Sequence, residues 1–153
     1  MIVKVDRKCL EDMLKIEREC FSEPWTRSMF VGEFESQASR IWGWVDAEEK
    51  TLLGYLVGWL VFEEFHIANL AVRTEARRKG IAKSLLAHAL GWALEHGAER
   101  SLLEVRASNE AALSLYRAEG FSLLSVRPHY YRFPTEDALV LHKRLCQEER
   151  RQA

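Results

Sequence analysis

The sequence predicts a single α/β (α+β) domain in which helices flank a mixed, mostly antiparallel β-sheet. The chain has 153 residues, of which 48% are hydrophobic, and this size and composition are typical of one folded domain. Segments rich in β-formers alternate with segments whose apolar residues recur at helical spacing. Between residues 40 and 72 the β-rich segments follow one another across short polar turns, which indicates an antiparallel meander.

Residues 2–35 predict a short strand and two helices. Asp6 can cap the first helix and Pro24 stops it, while Thr26 is a good N-cap residue for the second. Each helix carries an apolar stripe, because side chains three and four residues apart lie on one helix face. The stripes consist of Leu10, Met13, Leu14 and Cys20 in the first helix, and of Met29, Phe30 and Phe34 in the second.

Three β-rich segments follow, at residues 40–46, 51–62 and 65–72. The second of them contains Gly54 and Gly58. Glycine weakens a strand interior and often marks a bulge or a close approach of two backbones. We therefore expect one of these features in the second strand.

Residues 80–96 predict the best helix in the chain. Its apolar residues fall on one face, and Gly97 suits the position just after a helix end, where the backbone often has a positive φ. A strand at Ser101–Val105 comes next. It leads to a second helix, which Asn109 can cap and Gly120 ends.

The C-terminal segment predicts two more strands, at residues 121–126 and 138–145, joined by a loop that contains Pro128 and Pro134. The predicted order is therefore β-α-α-β-β-β-α-β-α-β-β. The domain is expected to span residues 1–146. Residues 147–153 are charged, and a frayed tail is expected there.

Charge and composition exclude several classes of function. Lys and Arg number 22 and Asp and Glu number 23, so the formal charge is −1, which gives no sign of a nucleic-acid or membrane partner. The longest apolar stretch, Leu52–Phe62, is too short to span a bilayer as a helix. The N-terminus lacks the pattern of a signal peptide. We expect a cytoplasmic protein.

Cysteine and histidine residues show no spacing typical of a cofactor or metal site. Cys9, Cys20 and Cys146 are far apart, which is more typical of a reducing compartment than of a disulfide framework. The five histidines form neither an H-x-x-x-H nor an H-E-x-x-H motif, so no metal is expected.

An anion site is predicted where an apolar strand, Asn69–Val72, leads through a basic loop into the best helix at Gly80. A helix N-terminus presents unpaired N–H groups and a partial positive charge. Gly80 lets a phosphate approach the backbone, and Arg77, Arg78 and Lys79 add positive charge. From these residues alone, a solvated basic turn remains an equal alternative.

A second candidate site centres on Glu104, a carboxylate inside an apolar strand. Burial disfavours the charged form and raises the pKa of a carboxyl group, which would suit a general base near neutral pH. The alternative is a surface glutamate paired with Arg106, because residues two apart in a strand share a face.

The basic loop resembles motif A of the GNAT superfamily of acetyltransferases, which is written Arg/Gln-x-x-Gly-x-Gly/Ala and matches Arg77-x-x-Gly80-x-Ala82 here. The resemblance implies that acetyl-CoA is the co-substrate. It also implies that the strands at Asn69–Val72 and Ser101–Val105 are parallel neighbours that diverge to admit it. The cofactor-binding residues implied are Leu70, Ala71 and Val72 for pantetheine, Arg77, Arg78, Lys79, Gly80, Ile81, Ala82 and Lys83 for pyrophosphate, and Asn109 for the pantetheine arm.

Several further strings resemble the RimI-type branch of that superfamily, which acetylates N-terminal alanine in ribosomal proteins. They are Leu-Glu-Val-Arg-x-Ser-Asn from residue 103, Leu-Tyr followed by Gly-Phe from residue 115, and the pair Tyr130-Tyr131. The resemblance implies that Glu104 is the general base and Tyr116 the general acid. It also implies that Trp25, Phe30, Tyr130 and Tyr131 bind the acceptor, although His129 occupies a position where that branch often has asparagine.

The expected reaction is direct transfer of acetyl from acetyl-CoA to the N-terminal α-amine of a protein, which for this branch is alanine of a ribosomal protein. Two alternatives remain. The acceptor could be a lysine side chain, a polyamine or an antibiotic amine, since the near-neutral charge does not discriminate among them. The chain could also be an acyl-CoA-binding module without turnover, against which the presence of both Glu104 and Tyr116 argues.

Overall fold

A computed structural model describes residues 1–146, and the predicted order of strands and helices is confirmed. The predicted frayed tail, residues 147–153, lies outside the described residues. The strands are β1 (Ile2–Lys4), β2 (Ser39–Val45), β3 (Leu52–Val61), β4 (Glu64–Val72), β5 (Arg100–Arg106), β6 (Ser122–Tyr131) and β7 (Glu136–Arg144). The α-helices are α1 (Leu10–Cys20), α2 (Arg27–Glu35), α3 (Ile81–Glu95) and α4 (Glu110–Ala118), and short 3-10 turns occupy Arg7–Cys9 and Thr74–Ala76.

The strands form a mixed sheet with the order β1-β2-β3-β4-β5-β7-β6. β1 with β2, β2 with β3, β5 with β7, and β6 with β7 are antiparallel neighbours, whereas β4 and β5 are parallel, as predicted. The parallel ladder runs from Glu64 opposite Arg100 to Ile67 opposite Leu103, and β4 continues beyond it to Val72.

One compact unit comprises Met1–Trp59 and Ala68–Ala89. Thr26 caps α2 as predicted, because its Oγ1 accepts a hydrogen bond from the Met29 N–H at 3.3 Å. Asp6 instead caps the 3-10 turn that precedes α1. The buried core of this unit consists of Val5, Met13, Leu14, Ile16, Phe30, Ile41, Leu52, Tyr55, Val57 and Ala71.

A second compact unit comprises Leu60–Ile67 and the described residues from Leu90 to Cys146. Asn109 caps α4 as predicted, since its Oδ1 accepts from the Ala112 N–H at 3.2 Å. Gly97 and Gly120 follow the ends of their helices with φ of +94° each, a conformation that glycine adopts freely.

β6 is longer than predicted, because it continues through Pro128 to Tyr131. The prediction that Pro128 lies in the connecting loop was therefore wrong, and His129, Tyr130 and Tyr131 lie in a strand, whereas Pro134 lies in the turn between β6 and β7 as predicted. β6 is the last strand of the sheet order, and an edge strand tolerates a residue without an N–H. The register against β7 shifts between Arg127 and Tyr131, and His129 has a φ of +53°.

None of the helices within residues 1–146 is long and apolar enough to cross a membrane.

Candidate functional site

The loop between β4 and α3 has the exposed basic character that the sequence predicts. Arg78, Lys79 and Lys83 are exposed around the start of α3 at Ile81. Gly80 has a φ of +78°, so a residue with a Cβ would be strained at this position. The backbone conformation is thus a second reason for glycine, besides the predicted approach of a phosphate.

The Arg77 side chain holds this loop through contacts with β4 and α1. Its Nε donates to the Val72 carbonyl oxygen at 3.2 Å, and its Nη2 lies 3.3 Å from the Cys20 sulfur. The Cys20 thiol donates to the same Val72 carbonyl at 3.3 Å. The Arg77 side chain therefore ties the end of β4 to α1, and the exposed Arg78 and Lys79 are better placed to meet a solvent-borne anion.

Gly54 confirms the expectation of a close backbone approach in β3. A Cβ at this position would lie 2.9 Å from the Ala71 carbonyl oxygen and 3.1 Å from a methyl group of Val72. A contact of 2.9 Å does not occur without movement of the neighbours, so glycine lets β3 pack closely on the β4 segment for which the family resemblance implies pantetheine binding.

A buried carboxylate in α1, Glu17, joins the two predicted binding regions of the first unit. Its side chain is 1% exposed and accepts hydrogen bonds from the Tyr55 hydroxyl, from Asn69 Nδ2 at 2.8 Å and from the Trp25 N–H at 3.0 Å. Asn69 immediately precedes the predicted pantetheine strand, and Trp25 is a predicted acceptor residue. Glu17 therefore fixes a segment of each.

Trp25 and Phe30 have different surroundings. Phe30 is fully buried, with its ring 5.3 Å from that of Trp25 and 5.8 Å from that of Tyr55. Trp25 is half-buried. Phe30 is thus a core residue that supports Trp25, and Trp25 is the member of the pair that remains accessible.

Glu104 lies in the second unit on the half-exposed face of β5. Its Oε2 lies 2.9 Å from His66 Nε2 on β4, and its Oε1 lies 3.7 Å from Arg127 Nη1 on β6. Arg106, the partner considered from the sequence, pairs with Glu136 at 3.3 Å.

The expectation that the pKa of Glu104 is raised is wrong. The hydrogen bond from His66 lowers the pKa below its usual range, and it outweighs the opposing effect of burial. The charges of His66 and Arg127 act in the same direction as that hydrogen bond. Glu104 is therefore a carboxylate throughout the neutral range.

Tyr116 has the opposite character. It is 7% exposed in α4, and its ring packs edge-on against Phe121 with the centroids 5.7 Å apart. Burial raises the pKa of Tyr116 well above its usual range, and the charge on Tyr131 adds to this. Tyr116 is therefore a protonated phenol at every working pH.

Two arginines lie over the aromatic residues of β6. The Arg127 guanidinium is 4.2 Å from the centre of the Tyr130 ring, and that of Arg106 is 4.5 Å from the centre of the Tyr131 ring. Tyr130 is 45% exposed, whereas Tyr131 is more enclosed, and burial with the neighbouring charges raises its pKa to about 12. Tyr130 is therefore the more accessible of the two predicted acceptor residues.

The side-chain oxygen of Asn109 already accepts the hydrogen bond that caps α4. The predicted contact with the cofactor would therefore be made by its amide nitrogen.

Within residues 1–146 there is no group of three or more His, Cys, Asp or Glu side chains arranged to hold a metal ion.

Comparison with known proteins identifies the family. The sequence profile described as the acetyltransferase (GNAT) family matches residues 10–121. The chain belongs to the GNAT family of acetyltransferases.

Alignments with relatives in this family cover most of the acetyltransferase chain. It is 30% identical over 130 residues to the [ribosomal protein bS18]-alanine N-acetyltransferase of Escherichia coli strain K12, an alignment that covers 82% of this chain and 84% of that protein. It is 25% identical to the protein of the same name from Haemophilus ducreyi, over 92% of this chain and 97% of the other. The crystal structure of the E. coli ribosomal-protein-S18-alanine N-acetyltransferase superposes with a TM-score of 0.88 at 25% identity, covering 95% of this chain and 93% of that one.

GNAT membership makes this chain an N-acetyltransferase, and acetyl-CoA is the acetyl donor of the family. Among the side chains that contact predicted site residues without having been predicted themselves are Glu17, His66 and Arg127. The sequence did contain an indication for Glu17. This residue lies four residues after Met13 and three before Cys20, so its carboxyl group falls on the otherwise apolar stripe of α1. The sequence contained no such indication for His66 and Arg127, because only the pairing of the strands brings them to Glu104.

Proposed function

We propose that this acetyltransferase moves an acetyl group from acetyl-CoA to the N-terminal α-amine of a protein, with the N-terminal alanine of ribosomal protein bS18 as the acceptor. The observation that carries the reaction is that one compact unit holds Glu104, whose pKa is lowered chiefly by the hydrogen bond from His66, and Tyr116, whose pKa is raised by burial. Such a pair can accept and donate a proton at the same pH. The choice of acceptor is supported by the E. coli relative, which is named as a [ribosomal protein bS18]-alanine N-acetyltransferase.

On the donor side, the start of α3 would hold the pyrophosphate of acetyl-CoA. Its first N–H groups and the exposed Arg78, Lys79 and Lys83 supply hydrogen bonds and positive charge. Arg77 keeps the loop attached to the end of β4, through the Val72 carbonyl. The β4 segment Leu70–Val72 would hold pantetheine through its backbone.

In the transfer step, the amine nitrogen attacks the thioester carbonyl, so that an N–C bond forms and the C–S bond breaks. Glu104 takes the proton that the amine loses, directly or through water. An α-ammonium group has a reference pKa of about 7.7–8.0, so a usable fraction is free amine near neutral pH. Tyr116 donates its proton to the departing thiolate, and the electron pair of the C–S bond stays on sulfur.

On the acceptor side, each unit offers an accessible aromatic residue that, by the family resemblance, would contact the acceptor peptide. In the first unit it is Trp25, against which Phe30 packs, and in the second it is Tyr130, which lies beside Tyr131. Rigid aromatic side chains suit this role because they offer a large contact area with few torsions to immobilise.

Mass spectrometry of peptides incubated with acetyl-CoA tests the proposal. A peptide that begins with alanine should gain one acetyl group at its α-amine, and the same peptide with a blocked N-terminus should gain none. Glu104→Gln and Tyr116→Phe should each slow the reaction by about 100-fold or more while retaining affinity for coenzyme A. Acetylation of a lysine or a small amine in place of the free N-terminus would contradict the proposed acceptor, and undiminished rates in both variants would contradict the residue assignment.

A further inference from the structure

His66 faces Glu104 because of how β4 and β5 pair. The two strands are parallel, with His66 opposite Leu102, and alternate residues of a strand share a face. Leu102 and Glu104 therefore lie on the same face of the sheet, together with His66. The His66 side chain is 30% exposed and that of Glu104 is 21% exposed, so their 2.9 Å contact is partly shielded from water.

The charged and titratable groups around Glu104 come from two strands, β4 and β6. His66 lies on β4, Arg127 lies on β6 at 3.7 Å, and Tyr131 on β6 interacts with the Glu104 charge. On β7, the residue opposite Glu104 is Val140, which does not titrate. The two carboxylate oxygens of Glu104 thus have different partners. Oε2 lies within hydrogen-bond distance of the imidazole, whereas Oε1 faces the guanidinium at a distance longer than a hydrogen bond.

The difference between the two oxygens matters if Glu104 accepts a proton. A carboxylate that rotates freely offers its lone pairs in many directions. A general base, in contrast, must keep one oxygen within about 3 Å of the atom from which it takes the proton. A hydrogen bond to one oxygen fixes the carboxylate plane and leaves the other oxygen for the substrate.

We propose that His66 is the positioning residue for Glu104, in that its Nε2–H holds Oε2 and thereby aims Oε1 at the amine or at a bridging water. This inference rests on the proposed function, because it assigns His66 a part in the same transfer step. The amine proton goes to Oε1, and His66 keeps its own proton throughout. His66 also keeps the carboxylate ionised under mildly acidic conditions, since its hydrogen bond is the main cause of the lowered pKa of Glu104.

Two substitutions separate a positioning role from a merely structural one. His66→Gln keeps an N–H donor at a similar reach, whereas His66→Leu keeps the bulk and removes the donor. We expect His66→Leu to lower kcat by roughly 10- to 100-fold with little change in the KM for acetyl-CoA, and His66→Gln to stay close to the wild type. His142→Leu, which removes a half-buried imidazole from the neighbouring strand β7, is the matched control.

A double-mutant cycle provides the decisive measurement. If His66 acts through Glu104, His66→Leu should cause no further loss of kcat in an enzyme that already carries Glu104→Gln. Equal losses in both backgrounds would overturn the proposal, and so would a His66→Gln enzyme as slow as His66→Leu.

A readout without turnover keeps this inference separate from the proposed function. The pKa of Glu104, followed through the NMR signal of its carboxyl carbon, should rise in His66→Leu, because burial then opposes ionisation without the imidazole hydrogen bond. An unchanged titration would overturn the pairing even if the enzyme acetylates N-termini. A wild type that acetylates no N-terminus, combined with a raised Glu104 pKa in His66→Leu, would refute the proposed function and leave the pairing in place.

Discussion

The hydrogen bond between Tyr55 and Glu17 leads to a prediction in which one substitution changes the sign of its effect. Both side chains are buried, and Glu17 also accepts from Asn69 and from the Trp25 N–H. Tyr55→Phe removes only the hydroxyl and keeps the ring that packs on Phe30 at 5.8 Å. With Glu17 present, a buried hydrogen bond is lost, which costs about 0.5–1.5 kcal/mol of unfolding free energy.

Glu17→Leu has a larger effect, because it leaves the Tyr55 hydroxyl and the Asn69 amide buried without their acceptor. Each unsatisfied buried donor costs roughly 1–3 kcal/mol, so the loss is about 2–6 kcal/mol, a large part of the total stability of an ordinary domain. In this background Tyr55→Phe removes one of the unsatisfied donors. It should therefore recover about 1–3 kcal/mol, the reverse of its effect when Glu17 is present.

Urea unfolding followed by tryptophan fluorescence and by far-UV circular dichroism measures all four proteins of this cycle. The two signals must coincide, since the free energies have meaning only for a two-state transition. Should Tyr55→Phe destabilise the wild type and the Glu17→Leu variant by equal amounts, the hydroxyl and the carboxylate would be energetically independent. The description of Glu17 as the shared acceptor would then be refuted.

Three further predictions concern single positions. Thr26→Ala should lower the unfolding free energy by about 1 kcal/mol in urea titrations, because the Met29 N–H loses its cap, while Thr26→Ser should restore it. Gly54→Ala should lower the melting temperature and cost about 1–3 kcal/mol, since its Cβ would lie 2.9 Å from the Ala71 carbonyl, and an unaffected melting temperature would contradict that close approach. The lowered pKa of Glu104 stabilises the folded state above the unfolded pKa of about 4.3, and this stability is lost as the pH falls through the folded value. Urea titrations between pH 5 and pH 3 should therefore show a steeper loss in the wild type than in Glu104→Gln, and parallel curves would contradict the lowered pKa.

Signals encoded within a few residues predicted most of the fold. The caps at Thr26 and Asn109 and the glycines after the helix ends, Gly97 and Gly120, depend on local backbone geometry, and all of them lie where the sequence places them. Asp6, which caps the 3-10 turn before α1, and β6 were exceptions. Pro128 signals a loop in isolation, but it lies on an edge strand, in the stretch between Arg127 and Tyr131 where the pairing with β7 is irregular. A missing N–H is tolerated there, so the strand continues to Tyr131.

The sequence by itself determined the order of the elements, the exposed basic loop before the helix start at Gly80, and the placement of Glu104 within an apolar strand. Local propensities and hydrophobic periodicity decide these features, and both can be read along the chain. The tertiary structure decided the ionisation of Glu104. Burial alone would raise its pKa, yet β4 brings His66 to within 2.9 Å and β6 brings Arg127 to 3.7 Å, so the pKa falls. The sign of such a shift depends on which charges the sheet brings together, and no local pattern contains that information.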